Sequence, residues 1–191
     1  PMYRQNTQHL QKPLFSDLSV LPEKLRIQLE ESWAGTFYRD VFVRIDEGLF
    51  AVLYSDEPSR PNTPINILTG LDWLKSAFGW SDEEMYHHFC YDLQVRYALG
   101  IRNLGEDHFK LRTMYNFRRR VAQHMQETGE NLYARALEQI ADGQIQAYEL
   151  KTHQLRMDST QIASSKSYVR IYERNEATGE YIPIALDIAS L

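Results

Sequence analysis

An acidic residue stands in the middle of the stretch HQLRMDSTQIAS, residues 153–164. The alternation of Leu155, Met157 and Ile162 with polar neighbours predicts a strand. Asp158 has two interpretations in this strand. It is either a turn or cap acid that accepts from a nearby backbone N–H, or a ligand for Mg²⁺, which prefers hard oxygen ligands. Because two-metal phosphoryl-transfer sites need several converging carboxylates, Asp158 would need further acids to hold metal.

A basic cluster occupies the stretch FKLRTMYNFRRRVAQHM, residues 109–125. Helical periodicity turns one side of this stretch toward a core, namely Met114, Phe117, Val121 and Met125. Tyr115, Arg118 and Arg119 are therefore expected to point outward or sideways. Arginine can hold phosphate oxygens or a guanine edge with two hydrogen bonds. The alternative is a solvated face, or arginines paired with the acids of SDEEM and GED. The predicted DNA-binding residues are Lys110, Arg112, Tyr115, Asn116, Arg118, Arg119 and Arg120.

Other motifs for catalysis or metal binding are weak or missing. His87 and Cys90 are three residues apart and could share a helical face, but two ligands without a second pair do not indicate a zinc site. The sequence has no P-loop, no dinucleotide-binding fingerprint and no nucleophile elbow. Cys90 stands between aromatic residues, which favours a buried filler over a nucleophile.

Composition limits the class of protein. The chain has 191 residues, of which 43% are hydrophobic and 25% charged, which suits one mid-sized domain with or without an appendage. The formal charge of -5 means that any DNA-binding surface must be local. The single cysteine fits a reducing compartment. No apolar run reaches the roughly 20 residues that cross a bilayer, and we expect a soluble, cytoplasmic protein without a membrane partner.

Helical signals predict the elements that must position the basic cluster. The pattern indicates a mainly α, bundle-like domain of four to six helices over residues 1–143. Residues 64–79 are apolar nearly all round, which predicts a central helix, and Ser81 with Glu84 forms a capping box at the start of the next one. The predicted helices run from near Pro22 to Gly35, over 64–79, from Ser81 to Gly100, from about Thr113 to Glu127, and from residue 130 to Gly143. Residues 36–55 are ambiguous, because Phe37, Val41 and Ile45 give a helical face whereas VFVRI alone could be a strand, and helix is favoured.

The composition shifts after Gly143 toward alternation and β-branched or aromatic residues. Residues 144–191 are therefore predicted to form a short β-rich tail, a meander with a hairpin around Gly179. Pro183 places the last strand at an edge. YVRIY is a candidate for an exposed edge strand that pairs with another sheet.

Three stretches, taken in order, resemble a known family. They are SRPNTPINILTGLDWLKSAFGWSDEEMYHHFCYDLQVRYALG, then HFKLRTMYNFRRRV, then LRMDSTQIAS. Together they resemble the N-terminal part of bacterial insertion-sequence transposases of the DDE type, over roughly residues 13–164. In that family a helical domain precedes the strand that begins an RNase H-like catalytic domain.

The resemblance implies DNA binding and self-association for the helical domain, with a homodimer as the expected assembly. It implies that Asp158 is the first acid of a catalytic triad, which with two Mg²⁺ ions cleaves DNA and transfers strands. The stretch after Ser164 departs from the family pattern, and Asp187 follows Asp158 too closely to act as the second acid. Glu173, Glu176 and Glu180 surround the predicted hairpin tip, where solvation explains them.

Three functions therefore remain open. The preferred one is a truncated or domesticated transposase that binds a DNA site resembling a transposon end but cannot cleave it by itself, with a vestigial Asp158 and no cofactor. The second is a subunit of a strand-transfer complex in which another chain completes the acids and Mg²⁺ is bound. The third is a protein-interaction or regulatory module that uses the helical scaffold and residues 165–191.

Overall fold

The fold is known from a computed structural model. It describes residues 1–11, 16–55, 60–103 and 105–149, together with the backbone of three strands beyond residue 149. The described part is mainly helical, as predicted. Its α-helices are α1 (Glu23–Glu31), α2 (Trp33–Asp40), α3 (Ile65–Phe78), α4 (Asp82–Tyr91), α5 (Leu93–Ala98), α6 (Leu111–Thr128) and α7 (Leu132–Ala147). Short 3-10 turns cover Gln8–Leu10, Asp17–Val20, Phe42–Arg44 and Glu47–Leu53.

Helix α3 lies at the centre, as its apolar composition predicts. Its residues from Ile65 to Asp72 are all buried. The carboxylate of Glu47, itself buried, accepts from the backbone N–H of Ile65 at 2.9 Å and of Asn66 at 3.3 Å. Glu47 thereby satisfies two N–H groups that have no partner within the helix.

The first predicted helix is divided into two. Ser32 is extended, ends α1 and caps α2 by accepting from the N–H of Ala34 at 3.2 Å. The predicted stop at Gly35 is wrong, because Gly35 lies inside α2. A Cβ at Gly35 would lie 1.9 Å from the carbonyl oxygen of Glu30, so the glycine allows α1 and α2 to meet closely. The helix favoured for residues 36–55 ends at Asp40 and gives way to 3-10 turns.

The predicted helix from Ser81 to Gly100 is also divided. Its start is confirmed as a capping box, with Ser81 and Glu84 each accepting from the other's backbone N–H. Asp92 leaves the helical conformation, and its side chain accepts from the N–H of Gln94 at 2.8 Å. An aspartate that can cap is a natural break, since capping offers the backbone an alternative to continuing the helix.

Helices α6 and α7 follow one another at the end of the helical part, and each contacts the 3-10 turn Glu47–Leu53. Met114, Phe117 and Val121 are buried as predicted, whereas Met125, which was expected to face inward, is 47% exposed. Gly129 ends α6 with a φ of 75°. The predicted end of α7 at Gly143 is wrong, because the helix continues to Ala147.

Beyond residue 149 only backbone is described, for β1 (Leu155–Thr160), β2 (Tyr168–Arg174) and β3 (Tyr181–Ile184). They pair antiparallel in the order β1-β2-β3, so YVRIY is the middle strand, not the edge that was expected. A folded β tail, and its relation to an RNase H-like region, stays a prediction, as does the division into residues 1–143 and 144–191.

Candidate nucleic-acid interface

The start of α6 is held by the helices before it. The guanidinium of Arg96, a fully buried residue of α5, donates to the carbonyl oxygens of Asn103 at 3.1 Å and Glu106 at 2.9 Å. The hydroxyl of Tyr86 on α4 donates to the carbonyl oxygen of Phe109 at 2.9 Å. These bonds fasten the connection between α5 and α6, so the basic cluster begins from a fixed point.

The inner face of α6 is packed into the core. Phe117 lies against Phe50 and Tyr133, with ring centroids 5.9 Å and 6.2 Å away. Met114 is completely buried and Val121 nearly so. This apolar contact sets which side of α6 faces outward, because residues three and four apart share one face.

Arg118 belongs to the inner side of α6, not to an outward stripe. Its guanidinium donates to the carboxylate of Asp72 on α3, with the shorter contact at 2.5 Å, and to Asp82 on α4 at 2.6 Å. Burial alone would lower the pKa of Arg118, but hydrogen bonds and charge from Asp72 and then Asp82 raise it above its usual value. The cation is therefore committed to two carboxylates of the same chain.

Arg118, Asp72, Asp82 and Tyr133 form what we call the Asp72 cluster. The roles of Asp72 and Tyr133 in it were not predicted from the sequence. Asp72 is 9% exposed and also accepts from the hydroxyl of Tyr133 on α7 at 2.6 Å. Burial and then the charge of Asp72 raise the pKa of Tyr133, so its hydroxyl stays a donor. Asp72 is the one carboxylate within the apolar helix 65–78. Because a buried acid requires a partner, this position could have predicted an ion pair for Asp72. Nothing local marks Tyr133.

The outer face of α6 carries four polar residues of the basic cluster predicted from the sequence. Arg112, Tyr115 and Arg119 are exposed, and Asn116 is half-buried. Arg119 donates to the amide oxygen of Asn116 at 3.4 Å, a contact within the helix. The chain contains no acidic residue from His108 to Gln126. This surface, which we call the α6 outer face, is defined by Arg112, Tyr115, Asn116 and Arg119.

Two further predicted residues lie beside the outer face. Lys110 is exposed immediately before α6. Arg120 is half-buried, with its guanidinium carbon 5.1 Å from the centre of the Tyr54 ring. Burial raises the pKa of Tyr54, whereas the charge of Arg120 and its side-chain hydrogen bond to Tyr54 act in the opposite direction. Arg120 is thus partly occupied by its own chain, and Lys110 is open to solvent.

Acidic residues border the outer face on the side of α4. Burial and then the charges of Asp82 and Glu83 raise the pKa of Tyr115, which places these acids within electrostatic reach of the face. Asp82 is compensated by Arg118 and by Lys75, whose ammonium is 3.5 Å away. Glu83 is exposed on the first turn of α4. The face is therefore basic with one acidic border.

Asp158 is the residue predicted to bind metal. No group of three His, Cys, Asp or Glu residues that could hold a metal ion occurs in the part of the chain that the structure describes. Asp158 lies in β1, where its backbone is paired with Arg170, but its side chain is outside the described residues. Asp187, Glu176 and Glu180 also lie outside them. The catalytic and Mg²⁺-binding role of Asp158 stays a prediction.

Two parts of the chain match known protein families. Residues 26–120 match the family described as Transposase domain (DUF772). Residues 150–190 match a family described as Protein of unknown function (DUF3164). No curated protein and no solved structure matches the chain. No described helix is long and apolar enough to cross a membrane.

Proposed function

Because residues 26–120 constitute a transposase-like domain, we propose that this transposase-derived chain binds duplex DNA through the α6 outer face. The observation that carries the proposal is the pair of exposed guanidinium groups of Arg112 and Arg119 on one side of a helix whose opposite side is anchored in the core. DNA phosphates are the polyanion that such a surface suits.

The acidic total charge does not oppose this proposal. A charge of -5 for the whole chain describes its average field, whereas a DNA contact depends on charges within about 10 Å at ordinary salt. Between His108 and Gln126 all charged side chains are basic or histidine. Arg118 is excluded from the proposed contact, because its cation already neutralises Asp72 and Asp82.

The finer assignment, to DDE insertion-sequence transposases, is part of the same proposal. Its support is that the two helical stretches on which the resemblance rests meet in space: Asp82 of the first binds Arg118 of the second. Arg96, also in the first stretch, fixes the connection that leads into α6. A transposon-end-like site, a homodimer and a protein partner for residues 165–191 are expectations of this assignment.

Binding of the full chain to a mixed-sequence duplex, measured at several salt concentrations, tests the proposed function. We expect affinity to fall as salt rises, because phosphate contacts release counterions. In the double variant Arg112→Ala/Arg119→Ala the slope of log affinity against log salt should decrease by about 2.

The matched control is Lys24→Ala/Arg26→Ala, which removes the same charge from exposed positions on α1. It should retain the wild-type slope. Binding that does not respond to salt, or an equal loss in both double variants, would refute the α6 outer face as the DNA contact.

A further inference from the structure

A row of polar side chains runs along α6 beyond the predicted basic cluster. Arg112, Asn116, Arg119 and Gln123 are spaced by four, three and four residues, so they follow one line on the helix surface. Gln123 is exposed and was absent from the predicted DNA-binding set. The row extends the α6 outer face by one turn and adds a second carboxamide.

The contacts of these two carboxamides are local. Asn116 accepts from Arg119, three residues on, and Gln123 donates to the carboxylate of Glu127 at 2.7 Å, four residues on. Both contacts lie within α6 and at its surface. Neither bond joins α6 to another element, so the fold of the chain does not explain why carboxamides stand at these positions.

Carboxamides and guanidinium groups have different capacities toward DNA. Asn and Gln can donate to and accept from one adenine edge in the major groove, whereas Arg serves phosphates or guanine. From Arg112 to Gln123 the helix rises about 16 Å, which is the length of about five base pairs at 3.4 Å per step. A helix with its side chains fits the major groove of B-DNA.

The row presents two guanidinium groups with a carboxamide between them. Arg112 and Arg119 lie before and after Asn116 along α6, and their long side chains can reach phosphates at the edge of the groove. Acids near the row include Glu83 on α4, whose charge adds to the burial that raises the pKa of Tyr115, and Glu127, which accepts from Gln123 at 2.7 Å. Contacts with phosphates therefore fall to Arg112 and Arg119. On these grounds, and resting on the proposed function, we infer that Asn116 and Gln123 are specificity-determining residues that contact base edges when α6 enters the major groove.

The test separates base recognition from DNA binding. The full chain is used to select binders from a pool of duplexes with a randomised core, and the affinity for an enriched duplex is compared with that for a scrambled duplex of equal composition. We expect enrichment, and an affinity ratio that falls about tenfold in Asn116→Ala and in Gln123→Ala. Affinity for the scrambled duplex should fall less than affinity for the enriched duplex in both variants, because Arg112 and Arg119 still contact phosphates.

Gln139→Ala provides the matched control, because Gln139 is an exposed glutamine on α7; it should keep the wild-type ratio. Salt-dependent binding without enrichment, or a ratio that survives both substitutions, would overturn this inference and leave the proposed function standing. Equal binding of an RNA duplex of the enriched sequence would also overturn it, because the deep, narrow major groove of A-form RNA does not admit the helix. If no duplex is bound, the proposed function fails as well.

Discussion

Arg118 and Arg119 are neighbours in the sequence, yet they occupy opposite environments on α6. Arg118 points toward α3 and α4 and is paired with Asp72 and Asp82. Arg119 points to solvent, and its one described hydrogen bond is with Asn116 on the same helix. A helical step of about 100° between consecutive residues is enough to separate the two roles.

The comparison teaches that a run of arginines is not a uniform basic surface. The charge of Arg118 is neutralised inside the fold, where it stabilises the contact of three helices. The charge of Arg119 is not neutralised by any described acid and remains available to a polyanion. The inner side of α6 therefore stabilises the fold, and the outer side is available to bind DNA. Substitutions on the inner side should lower stability, and those on the outer side should lower DNA affinity.

The largest expected effect is on stability at Arg118. Arg118→Ala leaves the nearly buried Asp72 without its cation and should lower the free energy of unfolding by about 3 kcal/mol. Arg119→Ala should change it by less than about 0.5 kcal/mol, as exposed substitutions usually do. Urea denaturation of both variants measures the difference. Equal costs would contradict the division between the two sides.

The next effect concerns the hydroxyl that completes the cluster. Tyr133→Phe removes the hydrogen bond to Asp72 and should lower the free energy of unfolding by about 1.5 kcal/mol. Tyr148→Phe is the matched control, since that hydroxyl donates to Asp40 at 3.1 Å from an exposed position. Its cost should stay below about 0.5 kcal/mol. If Tyr148→Phe lowered the free energy of unfolding as much as Tyr133→Phe, the bond to Asp72 would not contribute more stability than an exposed hydrogen bond.

A smaller effect should appear as acid sensitivity. Burial would raise the pKa of Asp82, but the hydrogen bond and charge of Arg118, and then Lys75, hold it below its usual value. The stability that Asp82 contributes is therefore present above the unfolded pKa of about 3.9 and is lost as pH falls through the lower folded pKa. Unfolding measured from neutral to strongly acidic pH should show a weaker acid dependence in Asp82→Asn. Asp142→Asn, exposed on α7, should retain the wild-type dependence.

The smallest effect is expected at the acidic border of the outer face. Glu83→Gln removes a negative charge near Tyr115 and should raise affinity for duplex DNA by a factor of about two, mainly through faster association at low salt. Glu138→Gln, exposed on α7, removes the same charge elsewhere. Stopped-flow association at low and high salt compares them. Equal acceleration would mean that only total charge matters.

Much of the helical part could be predicted from local signals. The capping box of Ser81 and Glu84, the buried helix from Ile65 to Phe78 and the amphipathic helix α6 follow from side-chain chemistry within a few residues of each element. The breaks at Ser32 and Asp92 were missed, because a serine or aspartate in a helical pattern can either cap or continue it. Which of the two occurs depends on the helices packed nearby.

By itself the sequence determined that α6 has an apolar side and a basic side, because the 3.6-residue period is built into the order of its residues. The sequence motifs, in a recognisable order, also indicated a transposase-like domain, in agreement with the family match of residues 26–120. Only the tertiary structure decided which arginine is used inside and which outside. That choice depends on Asp72, Asp82 and Tyr133, which come from three other helices and which meet Arg118 only when the chain is folded.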